Sequence, residues 1–431
     1  MSLTESSFTL TQDTHPKTTD PDTRSSAPEK QELLRAISLP LLVLYGLGVT
    51  IGAGIYVLIG ATVAQAGIYA PSSFLIAAFV MAFSAGSFAE LTGRFPKSAG
   101  EAIYVDAAFD KPWLTRVTGG FVILSAIVAA AAITLGGTGY VLAILDLPQP
   151  LVVIAIVVLM GTVAGWGVLE SVTFAAVFTV LEIMGLLIIV VAGIWAHPDI
   201  LLRLPEVLPP LSNPAALSAT FTTSLIAFFA FIGFDDVVNL VEETKDPINK
   251  MPRAIILTLL IVTLVYFSVT TVAVMTIPHQ ALATTGAPIS LMFEQLTGLS
   301  PLAISLIAIV ATLNGIVIQI IMASRVLYGL GNAGRIPEFF GRVNPSTHTP
   351  LVSTFIVSSL VLTLALFFPI DRLAELTTQI ILVVFTLVNL ALATIKFKKT
   401  KAPDGVFIVP IWIPVMGFLT CIALLAGPFI L

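Results

Sequence analysis

Two glycines close together, Gly52 and Gly54, lie in the middle of an apolar run over residues 39–63. Glycine has no Cβ and costs roughly 1 kcal/mol relative to alanine inside a helix, so the pair predicts a helix that unwinds at this point. Peptide groups freed inside a membrane need a polar partner, because lipid offers none. The freed amides suit a carboxylate, and the freed carbonyls suit an ammonium group or a cation. The alternative is a glycine face that packs closely on a neighbouring helix.

A second stretch of the same kind lies at residues 228–236, where Gly233 and two aspartates interrupt the apolar run over residues 217–241. This interruption comes about sixteen residues into its run, a position similar to that of the glycine pair in the first run. Paired interruptions at matching positions in two halves of a chain are the best sequence indication of a transporter binding site. The pairing therefore favours a binding site over simple helix packing.

Glu182 is the one ionisable residue between Ser171 and Trp195, in an apolar run over residues 172–195. Burial of an ionised carboxylate costs several kcal/mol, so we expect Glu182 to carry a proton at some stage of a working cycle. The residue is predicted to take part in proton coupling or, alternatively, to bind a sodium ion. The remaining alternative is a permanently protonated hydrogen bond between two helices.

Three further polar residues inside apolar runs are candidates for the same site. Asp235 and Asp236 follow the second interruption, where carboxylates can cap freed amides, and Asp235 is also a candidate for ion coupling. Asn314 either faces the substrate or forms a hydrogen bond with a neighbouring helix. The four histidines lie outside the apolar runs, so neither a metal site nor a cofactor is expected. The sequence contains no nucleophile-base constellation or phosphate-binding loop, and it does not predict an enzyme.

The composition predicts that these residues lie inside a membrane. Hydrophobic residues make up 57% and charged residues 10% of the 431 residues, against about 45–50% and 25% in soluble domains. Eleven apolar runs are each near or above the roughly 20 residues needed to span the hydrocarbon core. They cover residues 39–63, 70–91, 117–145, 151–168, 172–195, 217–241, 253–277, 301–330, 351–369, 374–395 and 406–429.

The positive charges predict the orientation of these spans. If the N-terminus lies in the cytoplasm, only Arg203 and Arg372 of the 20 Lys and Arg residues fall outside. This bias supports the span count, since one missed span would reverse the alternation. The chain is therefore predicted to be a multi-pass protein of the cell membrane with its C-terminus outside.

These observations predict an all-α integral membrane fold with about 11 transmembrane helices. Residues 1–32, rich in Ser, Thr, Asp and Pro, are predicted to form a disordered cytoplasmic tail. Residues 33–396 are predicted to form a ten-span core of two inverted five-helix repeats, about 39–196 and 217–396, with discontinuous spans 1 and 6. Residues 397–431 add a loop and an eleventh span.

Five groups of motifs, in chain order, carry a family resemblance. They are residues 48–56; residues 88–91 with 95–100 and Tyr104; residues 228–235; residues 242–247 with 252–255; and residues 313–315 with 323–329. In these motifs the chain resembles the amino acid-polyamine-organocation superfamily, and within it bacterial amino acid permeases close to the cationic amino acid transporter branch. The resemblance extends from span 1 through span 8.

The resemblance implies alternating access and an amino acid held by backbone groups. The carboxylate of the amino acid would rest on the amides of Ala53 and Gly54. Its amine would rest on the carbonyls of Thr50, Phe229 and Ile232. The complete set of implied substrate-binding residues is Thr50, Ile51, Gly52, Ala53, Gly54, Phe229, Ala230, Phe231, Ile232, Gly233 and Asn314.

The resemblance also implies an aromatic lid, formed by Phe229 or Phe231, and it shows three departures from the family pattern. Ala53 stands where many relatives have Ser or Thr, so a hydroxyl donor to the carboxylate is missing. Glu182 stands where relatives often have a lysine that takes the place of a sodium ion, so the charge is reversed. Relatives commonly have twelve spans, whereas residues 407–431 leave room for only one after the tenth.

The resulting prediction is a secondary active amino acid permease, driven by protons through Glu182. Neutral or aromatic substrates are slightly favoured over cationic ones, because no acidic partner for a cationic side chain is evident. One alternative is a transporter of a polyamine or another organic amine. The other is a non-transporting membrane sensor or interaction subunit. The predicted partners are an amino acid, a proton or a sodium ion, and the lipid bilayer, with no nucleic acid.

Overall fold

The computed structural model describes residues 35–97, 100–166, 172–332, 337–345, 347 and 349–430. The predicted tail, residues 1–32, and part of the motif at residues 95–100 lie outside these ranges. The described residues are helical and contain no β-strand; Ile37 and Thr244 form an isolated parallel β-bridge.

The described α-helices, named here in chain order, are connected by short turns and by four 3-10 helices. The α-helices are α1 (Leu39–Ala53), α2 (Ile55–Ala66), α3 (Ala70–Arg94), α4 (Gly100–Phe109), α5 (Pro112–Leu142), α6 (Gln149–Trp166), α7 (Val172–Ala196), α8 (Ile200–Arg203), α9 (Pro214–Phe229), α10 (Pro247–Thr276), α11 (His279–Thr284), α12 (Pro288–Thr297), α13 (Leu302–Asn332), α14 (Leu351–Phe367), α15 (Ile370–Phe397) and α16 (Trp412–Ile430). The 3-10 helices are Gly67–Tyr69, Leu204–Val207, Asp235–Glu243 and Glu338–Gly341. Proline at the first or second position begins α1, α3, α5, α9, α10 and α12, where its fixed φ favours the helix and its missing N–H has no helical partner to lose.

Seven helical segments of the described chain are long and apolar enough to cross a membrane. They are Ile55–Arg94, Pro112–Leu142, Gln149–Trp166, Ala176–Ala196, Pro247–Thr276, Leu302–Gly331 and Ile370–Phe397. Shorter apolar helices cover Leu39–Gly52, Pro214–Phe229, Leu351–Phe367 and Trp412–Gly427. A helix therefore lies in each of the eleven apolar runs, and the protein is a multi-pass helical membrane protein. The count of eleven spans and the inverted repeat remain predictions.

Both helix interruptions predicted from the sequence are present. Gly54 alone separates α1 from α2, with φ −96° and ψ −84°, and we call this position the first break. Residues 230–234 separate α9 from the 3-10 helix Asp235–Glu243, and we call them the second break. Gly233 in the second break has a φ of +121°, a conformation that side chains other than glycine rarely adopt.

Helices α7, α10 and α13 surround α1, whereas α2 packs against α9. Small residues permit this close packing on both sides of α1. A Cβ on Gly52 would lie 3.2 Å from the carbonyl oxygen of Ala311 in α13, and one on Gly48 would collide with Thr179 in α7. Gly52 thus has the packing function that the sequence offered as the alternative, while Gly54 forms the break itself.

Candidate functional site

The first and second breaks lie in direct contact with each other. A Cβ on Gly54 would lie 2.5 Å from the carbonyl oxygen of Ala230 and 2.8 Å from that of Thr50. A Cβ on Gly233 would lie 2.9 Å from the side chain of Val49 and 3.2 Å from the amide of Thr50. Backbone approaches this close require glycine at both positions. The fold therefore brings together the two stretches that the sequence predicted to form one site.

Tyr266 of α10 links the two breaks, and sequence reasoning missed it. Its hydroxyl lies 2.8 Å from the carbonyl oxygen of Thr50 and 2.9 Å from that of Ala230, so one proton is shared between two acceptors. The tyrosine is completely buried, and its ring packs against Phe74 and Phe231 at centroid distances of 5.6 Å and 5.2 Å. A tyrosine in an aliphatic run was an available signal, because a buried phenol needs a hydrogen-bond partner.

The backbone groups predicted to hold a substrate form short turns in this conformation. The Gly54 amide donates to the carbonyl of Ile51 at 3.2 Å, and the Ile232 amide donates to the carbonyl of Phe229 at 3.0 Å. Each carbonyl keeps a second lone pair for another donor. A bound carboxylate, however, must share or replace the contact that Gly54 now makes with Ile51.

The two phenylalanines considered for the aromatic lid have different surroundings. Phe231 is completely buried. In addition to its contact with Tyr266, its ring lies 6.4 Å from the ring of Phe74 in α3, measured between centroids. Phe229 is 3% exposed and belongs to a separate apolar cluster that includes Val57. Of the two, Phe231 is the one in contact with the tyrosine that links the breaks.

Glu182 lies on the face of α7 that is turned towards α1. Thr179, one turn earlier on the same helix face, packs against Gly48, and the hydroxyl of Tyr56 donates to the backbone carbonyl of Glu182 at 3.0 Å. The glutamate is 2% exposed, and among the described residues its Oε2 atom has no hydrogen-bond partner. A buried acceptor without a donor costs about 1–3 kcal/mol, which favours a proton or a cation at this oxygen.

Asn314 presents a second buried oxygen of this kind from α13. Its Oδ1 atom has no hydrogen-bond partner in the described part of the chain. Ala311, three residues earlier on the same face, packs against Gly52 next to the first break. Asn314 and Glu182 therefore approach α1 from two different neighbouring helices.

Asp235 caps the second break. Its Oδ1 atom accepts a hydrogen bond from the amide of Gly233 at 2.8 Å, and the residue begins the 3-10 helix Asp235–Glu243. This is the capping contact expected for one of the two aspartates. Because this oxygen is already engaged, Asp235 is less available for ion coupling than Glu182.

A cavity of about 680 Å³ lies beside the first break but does not reach it. Helices α2 and α5, the segment between α11 and α12, and the junction of α14 with α15 line it, and its polar lining groups are Gln65, Gln149, Thr285 and Asp371. None of the predicted substrate-binding residues lines this cavity. This cavity is therefore separate from the candidate site.

Comparisons with known proteins agree with this geometry. Residues 37–431 match the family model described as amino acid permease. The branched-chain amino acid permease BcaP of Bacillus subtilis is 28% identical over 92% of this chain and 88% of its own length. Cationic amino acid transporter 3 (mitochondrial) of Arabidopsis thaliana is 30% identical over 87% of this chain and 64% of its own length.

Two further similarities extend the range of relatives. The methylthioribose transporter of Bacillus subtilis is 26% identical over 93% of this chain and 90% of its own length. A solved structure of a manganese transporter from Eremococcus coleocola aligns with a TM-score of 0.66 at 13% identity, covering 94% of this chain and 90% of that one, and supports the fold alone. The resemblance found in the sequence motifs is confirmed: this chain belongs to the amino acid permease family of the amino acid-polyamine-organocation superfamily, and it is a membrane transporter.

Proposed function

We propose that this protein is a secondary active amino acid transporter that works by alternating access. The observation that carries the proposal is the crossing of the two breaks, where the carbonyls of Thr50 and Ala230 converge on one buried hydroxyl. Carbonyls at the C-terminal end of a helix attract an ammonium group, and the N-terminal end of α2 at Gly54 attracts a carboxylate. An α-amino acid carries both charges one carbon apart, which suits this crossing.

Binding of the amino acid exchanges one set of hydrogen bonds for another. The substrate ammonium takes over carbonyls that now accept from Tyr266, and the carboxylate takes over the amide of Gly54. Because the breaks join the two halves of spans 1 and 6, this exchange changes the contacts that hold those halves together. We infer that it is the step that couples occupancy to the direction in which the site opens.

The wider architecture in this proposal has eleven spans, with residues 39–196 and 217–396 as inverted repeats. The presence of a helix in every apolar run and of a break in the first span of each half supports it. The N-terminus lies in the cytoplasm and the C-terminus outside the cell membrane, as the positive charges indicate.

We propose that Glu182 is the proton-coupling residue. Glu182 lies one turn from Thr179, which packs against α1, and its Oε2 atom has no partner among the described residues, so gain or loss of a proton there alters the contact with the helix that holds the substrate. A sodium ion at Glu182 and Asn314 is the alternative, because both side chains offer an unpartnered oxygen.

Neutral amino acids are the proposed substrate class. The groups that pack at the crossing of the breaks are the uncharged rings of Phe74, Phe231 and Tyr266. The relatives include a branched-chain amino acid permease, a cationic amino acid transporter and a methylthioribose transporter, so ancestry alone does not select among substrates.

The test is uptake of a radiolabelled amino acid mixture into proteoliposomes with an imposed inward proton gradient. We expect the wild type to accumulate label and Glu182→Gln only to equilibrate or exchange it. Glu294→Gln, the same substitution at an exposed position, should behave as the wild type. Equal accumulation by Glu182→Gln and the wild type would exclude the coupling role.

Two further arms separate the alternatives. Accumulation that follows an imposed sodium gradient instead of the proton gradient would assign sodium coupling. Competition by a decarboxylated amine as strong as that by the amino acid itself would assign an organic amine transporter. Absence of flux for every labelled compound, with binding retained, would assign a non-transporting protein.

A further inference from the structure

The N-terminal end of α4 packs against the 3-10 helix Asp235–Glu243. A Cβ on Gly100 would lie 2.8 Å from the hydroxyl of Tyr104 and 2.9 Å from the side chain of Val238. The ring of Tyr104 is completely buried and packs against Phe88 at 6.1 Å between centroids. The tyrosine hydroxyl therefore lies next to the start of α4, where α4 meets the 3-10 helix.

Three carboxyl groups are buried at this contact. Glu101 of α4 is 7% exposed, and Asp235 and Asp236 of the 3-10 helix are each 6% exposed. Asp235 accepts the amide of Gly233, but the Oδ2 atom of Asp236 and the hydroxyl of Tyr104 are buried and have no hydrogen-bond partner among the described residues. In the described chain, no Lys, Arg or His forms an ion pair with any of the three carboxyl groups.

The charges around this cluster are mostly negative. The negative charges of Asp235 and Glu101 act on Asp236, and that of Asp235 acts on Glu101. From α1, Tyr45 faces Asp236, and the charges of Glu243 and of the exposed Arg325 of α13 also act on this tyrosine.

Two cations on neighbouring helices are already engaged. Arg94 of α3 and Lys396 of α15 are both bound to Glu90.

Three ionised carboxylates cannot share such a site without a large cost, because burial and like charge both disfavour ionisation. Burial, with the negative charge of Asp235, raises the pKa of Glu101 from its ordinary value of 4.5 to about 8. A proton on one carboxyl group removes one negative charge and supplies a donor to this group of unpartnered oxygens.

We propose that Glu101 and Asp236 form a proton-binding site, separate from Glu182, and that the bound proton holds α4 against the inner half of span 6. Loss of the proton places two like charges across the contact between α4 and the 3-10 helix. The contact then weakens, so the site makes the stability of this region depend on pH. This inference does not depend on the identity of the transported substrate.

Thermal unfolding of the purified full-length protein between pH 5 and pH 9 tests the proposal. All variants carry Glu182→Gln, so that the buried carboxyl group of α7 does not contribute. The Glu182→Gln protein, called the parent, is compared with four variants of it: Glu101→Gln, Asp236→Asn, the double variant of these two, and Glu294→Gln. A group whose pKa is raised in the folded state stabilises the protein at low pH, and this stability is lost as the pH rises towards about 8.

We expect the Tm of the parent to fall by roughly 2–3 °C between pH 6 and pH 8 because of this site. In Glu101→Gln and in Asp236→Asn, the decrease in Tm between pH 6 and pH 8 should be at most half of that in the parent. In the double variant the decrease should be only a little smaller than in either single variant. Glu294→Gln should follow the parent. Equal pH profiles for all five proteins, or strictly additive effects of the two substitutions, would overturn the proposal.

A second measurement detects the bound proton directly. Infrared absorption of protonated carboxyl groups is followed in the Glu182→Gln protein, and we expect a band that disappears as the pH passes about 8. The band should be absent from Glu101→Gln and present in Glu294→Gln. A Glu182→Gln protein without any carboxyl band that titrates above pH 7 would overturn the proposal even if the other variants fail to fold.

Discussion

Glu90 and Glu182 are both carboxylates buried in membrane helices, but their surroundings are opposite. Glu90 is completely buried and is bound by Arg94 at 2.9 Å, by Lys396 at 2.7 Å and by the amide of Val409 at 2.8 Å. Glu182 is 2% exposed, and its Oε2 atom has no partner in the described chain. The protein therefore compensates the charge of Glu90 on both oxygens, whereas it leaves one oxygen of Glu182 without a partner.

This difference separates a structural carboxylate from a candidate coupling residue. Lys396 also donates to the carbonyl of Val409 at 2.6 Å, so the Glu90 cluster ties α3 and α15 to the segment before α16. Glu90 is held by two cations and a backbone amide, whereas no donor or cation among the described residues compensates the Oε2 atom of Glu182. Four substitutions test this difference between buried polar groups.

The largest expected effect is the loss of stability in Glu90→Gln. The substitution leaves Arg94 and Lys396 without their shared anion inside the protein, and breaking a buried ion pair in this way costs about 3–5 kcal/mol. Denaturant or thermal unfolding measures it. The second substitution Lys396→Met should restore part of the loss, and Glu294→Gln should cause none. Wild-type stability in Glu90→Gln would show that the cluster carries no net stabilisation.

Glu182→Gln should have the opposite profile. Its stability should lie within about 1 kcal/mol of the wild type, because no ion pair is lost. Proton-driven accumulation of substrate should fall at least tenfold, while exchange across the membrane continues. Parallel measurement of unfolding and of uptake separates the two properties. A stability loss as large as that of Glu90→Gln would reassign Glu182 to a structural hydrogen bond.

Tyr266→Phe should show an intermediate effect that depends on substrate. The carbonyls of Thr50 and Ala230 lose their shared donor, at a cost of about 1–3 kcal/mol in the substrate-free protein. A bound ammonium group restores a donor, so the rise in Tm on addition of substrate should be larger than in the wild type. Tyr69→Phe, a tyrosine outside the breaks, is the matched control. An unchanged substrate effect would mean that the amine binds elsewhere.

Local signals in the sequence predicted the breaks but not the contacts across them. Gly54, Gly233 and Asp235 could be identified because glycine and carboxyl groups are conspicuous inside apolar runs. The position of Tyr266 between two carbonyls depends on how α10 crosses the breaks, and no spacing along one helix encodes that crossing. The turn that engages the Gly54 amide depends in the same way on backbone angles that residue types do not specify.

Glu90 illustrates the same limit for charges. Arg94 follows it by four residues, a spacing that predicts an ion pair on one helix face. Lys396 and Val409 lie more than 300 positions further along the chain and meet it only through the packing of α3 with α15 and α16. Four apolar helices of the described chain are shorter than the other membrane-spanning candidates. Leu39–Gly52 and Pro214–Phe229 are short because they end at the breaks, whereas Leu351–Phe367 and Trp412–Gly427 are short without an interruption.

The smallest expected effect concerns a neutral cluster that joins α3 and α15, as the Glu90 cluster does, and also includes α16. Asn389 of α15 donates to Ser84 of α3 at 2.9 Å and accepts from Ser87 at 2.6 Å, and Cys421 of α16 lies 3.6 Å from Ser84. Ser84→Ala removes the neutral hydrogen bond to Asn389 and the weaker one to the sulfur of Cys421, and about 0.6 kcal/mol is typical of one such bond between membrane helices. Unfolding should detect a loss of this size, several times smaller than that of Glu90→Gln. A loss of equal size would mean that desolvation of the amide group, rather than charge, controls how firmly α3 and α15 are joined at this end of the protein.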